Sequence, residues 1–204
     1  MTGTGFRHAF ETAIGEAGSG FYDDVRLNNL IATANVNIID RKIQEFQSTE
    51  KITIELEPLI VKTSAIVPVN ATVDISPTSA AVTNFYSFGN LLVNAPYGSL
   101  SVSNYAKERP VAQFQSSYTA GNYMYPRYYF TNGLLNIEPA NATSVVLMYF
   151  VKPFVIDVAD NTIPIPYNDK LINLIISETM IQAGVSSRDN ADVIQGTMLE
   201  QRNP

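Results

Sequence analysis

Apolar residues recur every three or four positions across residues 21–46, FYDDVRLNNLIATANVNIIDRKIQEF, where Val25, Leu27, Leu30, Ile31, Ala34, Ile38, Ile39, Ile43 and Phe46 form one stripe. That period predicts a long helix with one face buried. Asp23 and Asp24 at its start suit the positive end of the helix dipole. Upstream, FRHAFETAIGEA places Phe6, Phe10 and Ala13 or Ile14 at helical spacing, and the GSG at 18–20 breaks the helix. KITIELEPLIVKTS supports two readings. Ile52, Leu56, Leu59 and Ile60 fit a helix, while the alternation of Ile52, Ile54 and Leu56 fits a strand, and Pro58 restricts a helix interior.

Beyond Lys62 the pattern changes. Asp74 is the single charged residue before Lys107, and short β-prone runs (AIVPV, ATVDI, SLSVSNY) alternate with Pro and Gly. Asn132-Gly133 is a hairpin signal that joins RYYF to LLNIEP. Further strands are predicted over 144–152, after a turn at 139–142, and over 155–158, together a β-meander. The last helix, YNDKLINLIISETMIQAG, is apolar nearly all round through Leu171, Ile172, Leu174, Ile175, Ile176, Met180 and Ile181. Such a helix requires burial, in its own domain or by a neighbouring subunit. Gly184 is its expected stop.

The predicted fold class is α+β, with N-terminal and C-terminal helices forming a small helical bundle around an inserted antiparallel β-region. The boundaries are 1–20 for an N-terminal extension, 21–62 for the helical part, and 63–166 for the β-rich insertion. Residues 167–184 form the closing helix, which packs on the helical part, and 185–204 a polar tail that docks on a partner.

Composition then removes chemistry. The chain of 204 residues has no cysteine and one histidine, His8, so disulfides, thiolate metal sites and most nucleophile–base arrangements are excluded. The acidic pairs Asp23–Asp24 and Asp157–Asp160 read as a helix start and a turn. No catalytic, cofactor-binding or metal-binding residue is expected, and no enzyme activity. The net charge of −6 is unlike the basic stripe of a nucleic-acid binder. It suits either plain solubility or a passage through which DNA slides without sticking. MTGTGFRHAFETAIG has no basic segment followed by an apolar one, and no run approaches the roughly 20 apolar residues of a membrane span. A soluble protein made in the cytoplasm, with no membrane partner, is expected.

The segment YTAGNYMYPRYYFTNG holds Tyr118, Tyr123, Tyr125, Tyr128, Tyr129 and Phe130. It fits a binding surface for sugar, peptide or protein, and equally the half-buried residues of strands flanking a turn.

Several local patterns resemble tailed-phage head-to-tail adaptor proteins, including the tubular tail protein A type of podoviruses. Leu27, Leu30 and Ala34 are similar to that family's opening helix. The later match runs in order through Asn122-Tyr123 with Pro126, Leu135-Asn136-Ile137-Glu138-Pro139, residues 146–149, Lys152-Pro153, Ile163-Pro164 and the final apolar helix. It covers most of residues 21–184. The charge-poor region at 63–96 is longer than the family pattern, the helix before Gly18 is added, and the ring proteins of crAss-like phages are the preferred subfamily.

The resemblance implies a structural virion protein at the head-tail junction, assembled in the bacterial host cytoplasm. It implies a homo-oligomeric ring, a dodecamer, below the portal protein and above the next tail or ring protein. Genomic DNA would pass through the channel without sequence-specific binding. Leu171, Leu174, Ile175, Met180, Tyr123, Pro126, Tyr128 and Arg188 are the expected oligomer or partner contacts. The alternative is a β-rich receptor- or glycan-binding module of a virion that uses the tyrosine segment.

Overall fold

The computed structural model describes residues 1–15, 21–109 and 120–187. It divides into a helical unit, Met1–Pro58 with the chain beyond Lys152, and a β-rich unit, Leu59–Lys152. The class is α+β, as the sequence pattern implies. Arg188, Tyr118 and the tail from residue 188 lie outside the described residues.

The helical unit holds α1 (Gly3–Ala13), α2 (Asp24–Thr49) and α3 (Asp169–Ser187). Each start is capped by a side-chain oxygen, which satisfies backbone donors that have no partner within the helix. Thr2 accepts from the Gly5 amide at 3.3 Å, Asp23 from Arg26 at 2.7 Å and Asn168 from Leu171 at 2.9 Å. Gly3 lies against the backbone of the 157–160 turn. A Cβ there would stand 1.7 Å from the Asp157 carbonyl oxygen, so only glycine permits this approach. Arg7 ties α1 to the start of α2, donating to Glu11 at 2.8 Å, to the Tyr22 carbonyl at 2.7 Å and to Asp24.

α3 is the central element of this unit, with α1 and α2 packed on it. Leu171, Ile172, Leu174, Ile175, Ile176, Met180 and Ala183 are buried within the protein itself. The polar residues among them bond locally: Ser177 donates to the Asn173 carbonyl at 3.0 Å and Thr179 to the Ile175 carbonyl at 2.7 Å. Most of the apolar circumference of the helix is therefore buried inside one chain, with Ile181 partly buried. The helix also continues through Gly184, because Gly184 and the residues to Ser187 keep helical geometry.

The β-rich unit is two four-stranded sheets facing each other. The first has β1 (Ile60–Lys62), β8 (Ser144–Val151), β3 (Phe85–Tyr97) and β4 (Leu100–Tyr105) in that order, all antiparallel. The second has β2 (Thr72–Asp74), β7 (Leu134–Glu138), β6 (Arg127–Thr131) and β5 (Lys107–Glu108), with β5 parallel to β6. Alternate residues from the two sheets make a shared core: Leu91, Val93, Val145, Leu147 and Tyr149 from one, Val73, Tyr128, Leu135 and Ile137 from the other. The β6–β7 hairpin turns at Asn132 and Gly133, both with positive φ (50° and 78°), as the dipeptide demands. β3 bulges twice against β8, and Gly89 sits at the second irregularity, where a Cβ would meet the Met148 carbonyl at 2.8 Å.

Three expectations change. β7 and β8 belong to different sheets, so the turn at 139–142 carries the chain across the sandwich and the predicted meander is a sheet switch. Residues 155–158 form no strand. They run beside α2, where Asn35 donates to the Phe154 carbonyl at 2.9 Å and Asn28 accepts from the Val158 amide at 3.0 Å, and the β-rich unit closes at Lys152 instead of Pro166. Residues 57–59, with Pro58 in the middle, make a single 3-10 turn before β1, a compromise between the two patterns read there.

The acid limit of the fold is legible in two carboxylates. Burial alone would raise Glu55, but its own backbone N–H and the attraction of Lys42 and Lys170 outweigh that and hold it below the usual range. Asp160 is lowered by the Thr162 amide, the Thr162 hydroxyl and the Ile163 amide. A carboxyl depressed in the folded state stabilises above its unfolded pKa and loses that contribution as pH falls through the folded one. The urea midpoint is expected to hold from neutral pH down to about 5 and to fall below about pH 4. Glu55→Gln should flatten that fall; an unaltered acid slope would exclude Glu55 as a source.

Candidate functional site

Two exposed surfaces stand out, one on each unit. On the helical unit the surface begins with the geometry of α2. Leu27, Ile31, Ala34, Ile38 and Ile39 are buried, which turns Val25, Asn29, Ala32 and Val36 outward along a single opposite stripe. Val25 is 72% exposed, so it falls outside the buried stripe that the spacing placed it in. From Leu27 to Ile39 the helix carries no charge at all, on its outward face as well as its inward one. An open cleft of about 870 Å³ lies along the first half of this face, lined by Asp23, Asp24, Val25, Arg26, Asn29, Leu30 and Thr33. Arg26 lies over the Tyr22 ring, 4.9 Å from its centroid. Asp24 in the lining is ion-paired with Arg7, so the charges at this end of the cleft are largely balanced.

On the β-rich unit, β4 leads into β5 and brings Lys107 beside Arg127 in the parallel β5–β6 pair. Arg127 also faces Glu138 across the β6–β7 ladder. Glu138 is engaged elsewhere, since it accepts from the buried Arg109 and, at 2.6 Å, from the Gly121 amide. Glu108, next in sequence to Lys107, registers with Tyr128 and therefore points to the opposite face. Burial, and secondarily the charge of Glu108, pushes the Tyr128 hydroxyl up to about 12. Lys107 and Arg127 are thus two cations on one sheet edge. Tyr105, two residues before Lys107, and Tyr125, two before Arg127, are each 68% exposed, and Met124 is exposed as well. Tyr97 and Tyr123 stack at 4.5 Å at the other end of the β3–β4 hairpin.

Of the residues expected at an interface, Tyr123 is half-buried against Tyr97, whereas Pro126 and Tyr128 are buried. Leu171, Leu174, Ile175 and Met180 are core. His8 is exposed on α1, and Asp157 and Asp160 cap their own turn through the Ala159 and Thr162 amides at 3.0 and 2.7 Å. Among the described residues no group of three or more His, Cys, Asp or Glu side chains converges on a point that could hold a metal ion. Nor, among those residues, is any helix long and apolar enough to cross a membrane. The two surfaces were not anticipated as pairs. The charge-free run of α2 was a readable signal for the first, but the pairing of Lys107 with Arg127 arises from non-local strand register.

The chain matches no protein-family model and no curated protein.

Proposed function

We propose that this chain is a structural virion protein, a head-to-tail adaptor that forms a ring below the portal, extends the DNA channel and joins capsid to tail. One observation carries the reading: both ends of the chain build one helical unit while the contiguous Leu59–Lys152 segment forms a separate β-rich unit inserted between them. That is the organisation implied by the resemblance to tailed-phage adaptors. The paired carboxylates serve as caps and turns, which leaves the described residues without an assembled reaction centre and favours a structural role. Two exposed apolar surfaces of different character, on different units, suit a chain that contacts like copies. In this role the partners are further copies in a twelve-fold ring, the portal and the next tail component, with DNA passing unbound. The acidic total charge of −6 suits a non-adhesive channel.

The exposed Tyr105 and Tyr125 favour a second reading, a glycan- or receptor-binding virion module. Light scattering of the purified protein, alone and with its cognate portal, separates the two. A ring-sized species, free or on the portal, is expected for an adaptor. A 22.4 kDa monomer that ignores the portal and binds a glycan array would overturn it.

A further inference from the structure

Asparagines are spread along the whole chain, and Asn132 is the one that a glycine follows. Asn28, Asn35 and Asn168 are held by hydrogen bonds from their side-chain amides to backbone. Asn132 and Gly133 are instead both exposed at the tip of the β6–β7 hairpin, with φ of 50° and 78°, and Thr131 and Leu134 pair on either side of them. The tip is pinned by the Ile75 amide, which donates to the Gly133 carbonyl at 3.0 Å. A second turn resembles it. Asn70-Ala71 has φ of 51° and 61°, and Val69 and Thr72 exchange two backbone hydrogen bonds of 3.0 Å around it. Ala71 carries the Cβ that Gly133 lacks.

We propose that Asn132-Gly133 is a self-modifying site: when the hairpin tip opens, the chain converts Asn132 into a mixture of aspartyl and isoaspartyl residues. The Gly133 amide nitrogen gives its proton to a solvent base and attacks the side-chain carbonyl carbon of Asn132. The new N–Cγ bond closes a five-membered succinimide, the Cγ–Nδ2 bond breaks, and the leaving nitrogen takes a proton from solvent and departs as ammonia. Water then opens the ring. Cleavage at Cγ leaves aspartate, and cleavage at the main-chain carbonyl leaves isoaspartate, with the chain running through Cγ. Water is consumed, ammonia is released, and nothing is oxidised or reduced. Glycine suits the attacking position because a Cβ there crowds the nitrogen as it closes on Cγ.

The folded turn holds this reaction back. Ring closure needs a large rotation about the ψ of Asn132, which a two-residue turn forbids while Thr131 and Leu134 stay paired and Ile75 holds Gly133. The products do not restore the turn. Isoaspartate lengthens the main chain at a tip whose register depends on loop length, and either product adds a negative charge near Asp74, which pairs with Leu134. Each opening of the tip is thus open to permanent record in the covalent chain. The site does not depend on the adaptor reading.

The test is peptide mapping of the full-length protein kept at mildly alkaline pH, in buffer and in urea. Isoaspartate is counted by methyl transfer from S-adenosylmethionine with an isoaspartyl methyltransferase. In urea Asn132 is expected to convert well ahead of Asn70, and Gly133→Ala should slow it to the rate of Asn70. Alanine at a φ of 78° strains the folded tip, so this comparison is made in urea, where the fold has no influence. In buffer the parent should convert at least about tenfold more slowly than in urea, a ratio that reads how seldom the tip opens. The converted fraction, separated by anion exchange, should unfold at lower urea than the parent. Equal rates at Asn132 and Asn70 in urea overturn the site. Equal rates in buffer and urea overturn the control by hairpin opening, and a converted fraction with the parental midpoint overturns the damage to the turn.

Discussion

Ile175→Ala is expected to lower the stability of the helical unit by about 2–5 kcal/mol, read as a fall in the urea midpoint followed by far-ultraviolet circular dichroism. Ile175 is fully buried near the centre of α3, as are Leu171 and Met180, and α1 and α2 pack on the same helix. Removing its side chain leaves a void that a helix enclosed in this way has little room to collapse into. The substitution also separates core from interface. Were α3 a subunit contact, the variant would keep its midpoint and change only its mass in solution. The structure instead requires that mass follow the folded fraction, so a variant with parental stability and altered mass would contradict the burial described above.

Glu138→Ala should be comparably damaging to the β-rich unit. Its carboxylate is shared between the Arg109 guanidinium, itself 6% exposed, and the Gly121 amide at 2.6 Å. Truncation leaves a buried guanidinium without its carboxylate and removes the acceptor from a backbone N–H, a combination that costs about 3–5 kcal/mol. Glu138→Gln keeps an oxygen for one donor and should lose less. The chain has eleven tyrosines and no tryptophan, so near-ultraviolet circular dichroism of the tyrosine-rich β core reports this unfolding directly. Because the pair is enclosed, added salt should change the loss little. Equal stability of the alanine variant and the parent would show that the clasp contributes nothing.

Local periodicity carried much of this architecture into view. The stripe in α2 and the Asn132-Gly133 hairpin are short-range patterns, set by residues within one or two turns of each other, and apart from exposed Val25 and half-buried Leu30 both are where the spacing puts them. What failed was of another kind. β7 and β8 alternate in the same manner whichever sheet receives them, so nothing at 139–142 announces that the chain crosses the sandwich there. The apolar circumference of α3 states that burial is needed but not who provides it, and α1 and α2 proved sufficient. Pro126 and Tyr128 were expected at an interface through the resemblance, while strand preference alone allowed half-burial, and Tyr128 packs against Phe88 at 4.5 Å between centroids. The cleft on α2 was half legible, in a helix with no charge from Leu27 to Ile39, whereas the Lys107–Arg127 pair depends on a parallel register invisible to spacing.

The position of β1 beside β8 has a consequence for how the chain folds. These strands are the first and last of the inserted unit, and their register sets Ile60 opposite Phe150. Bringing the two arms of the helical unit together across a disordered span the length of Leu59–Lys152 would cost about 4 kcal/mol in chain entropy. Once β1 and β8 pair, the points where the chain leaves and rejoins the helical unit are one strand spacing apart, roughly 5 Å. The insertion thus holds the two connections to the helical unit together through a sheet to which the helices contribute no strand.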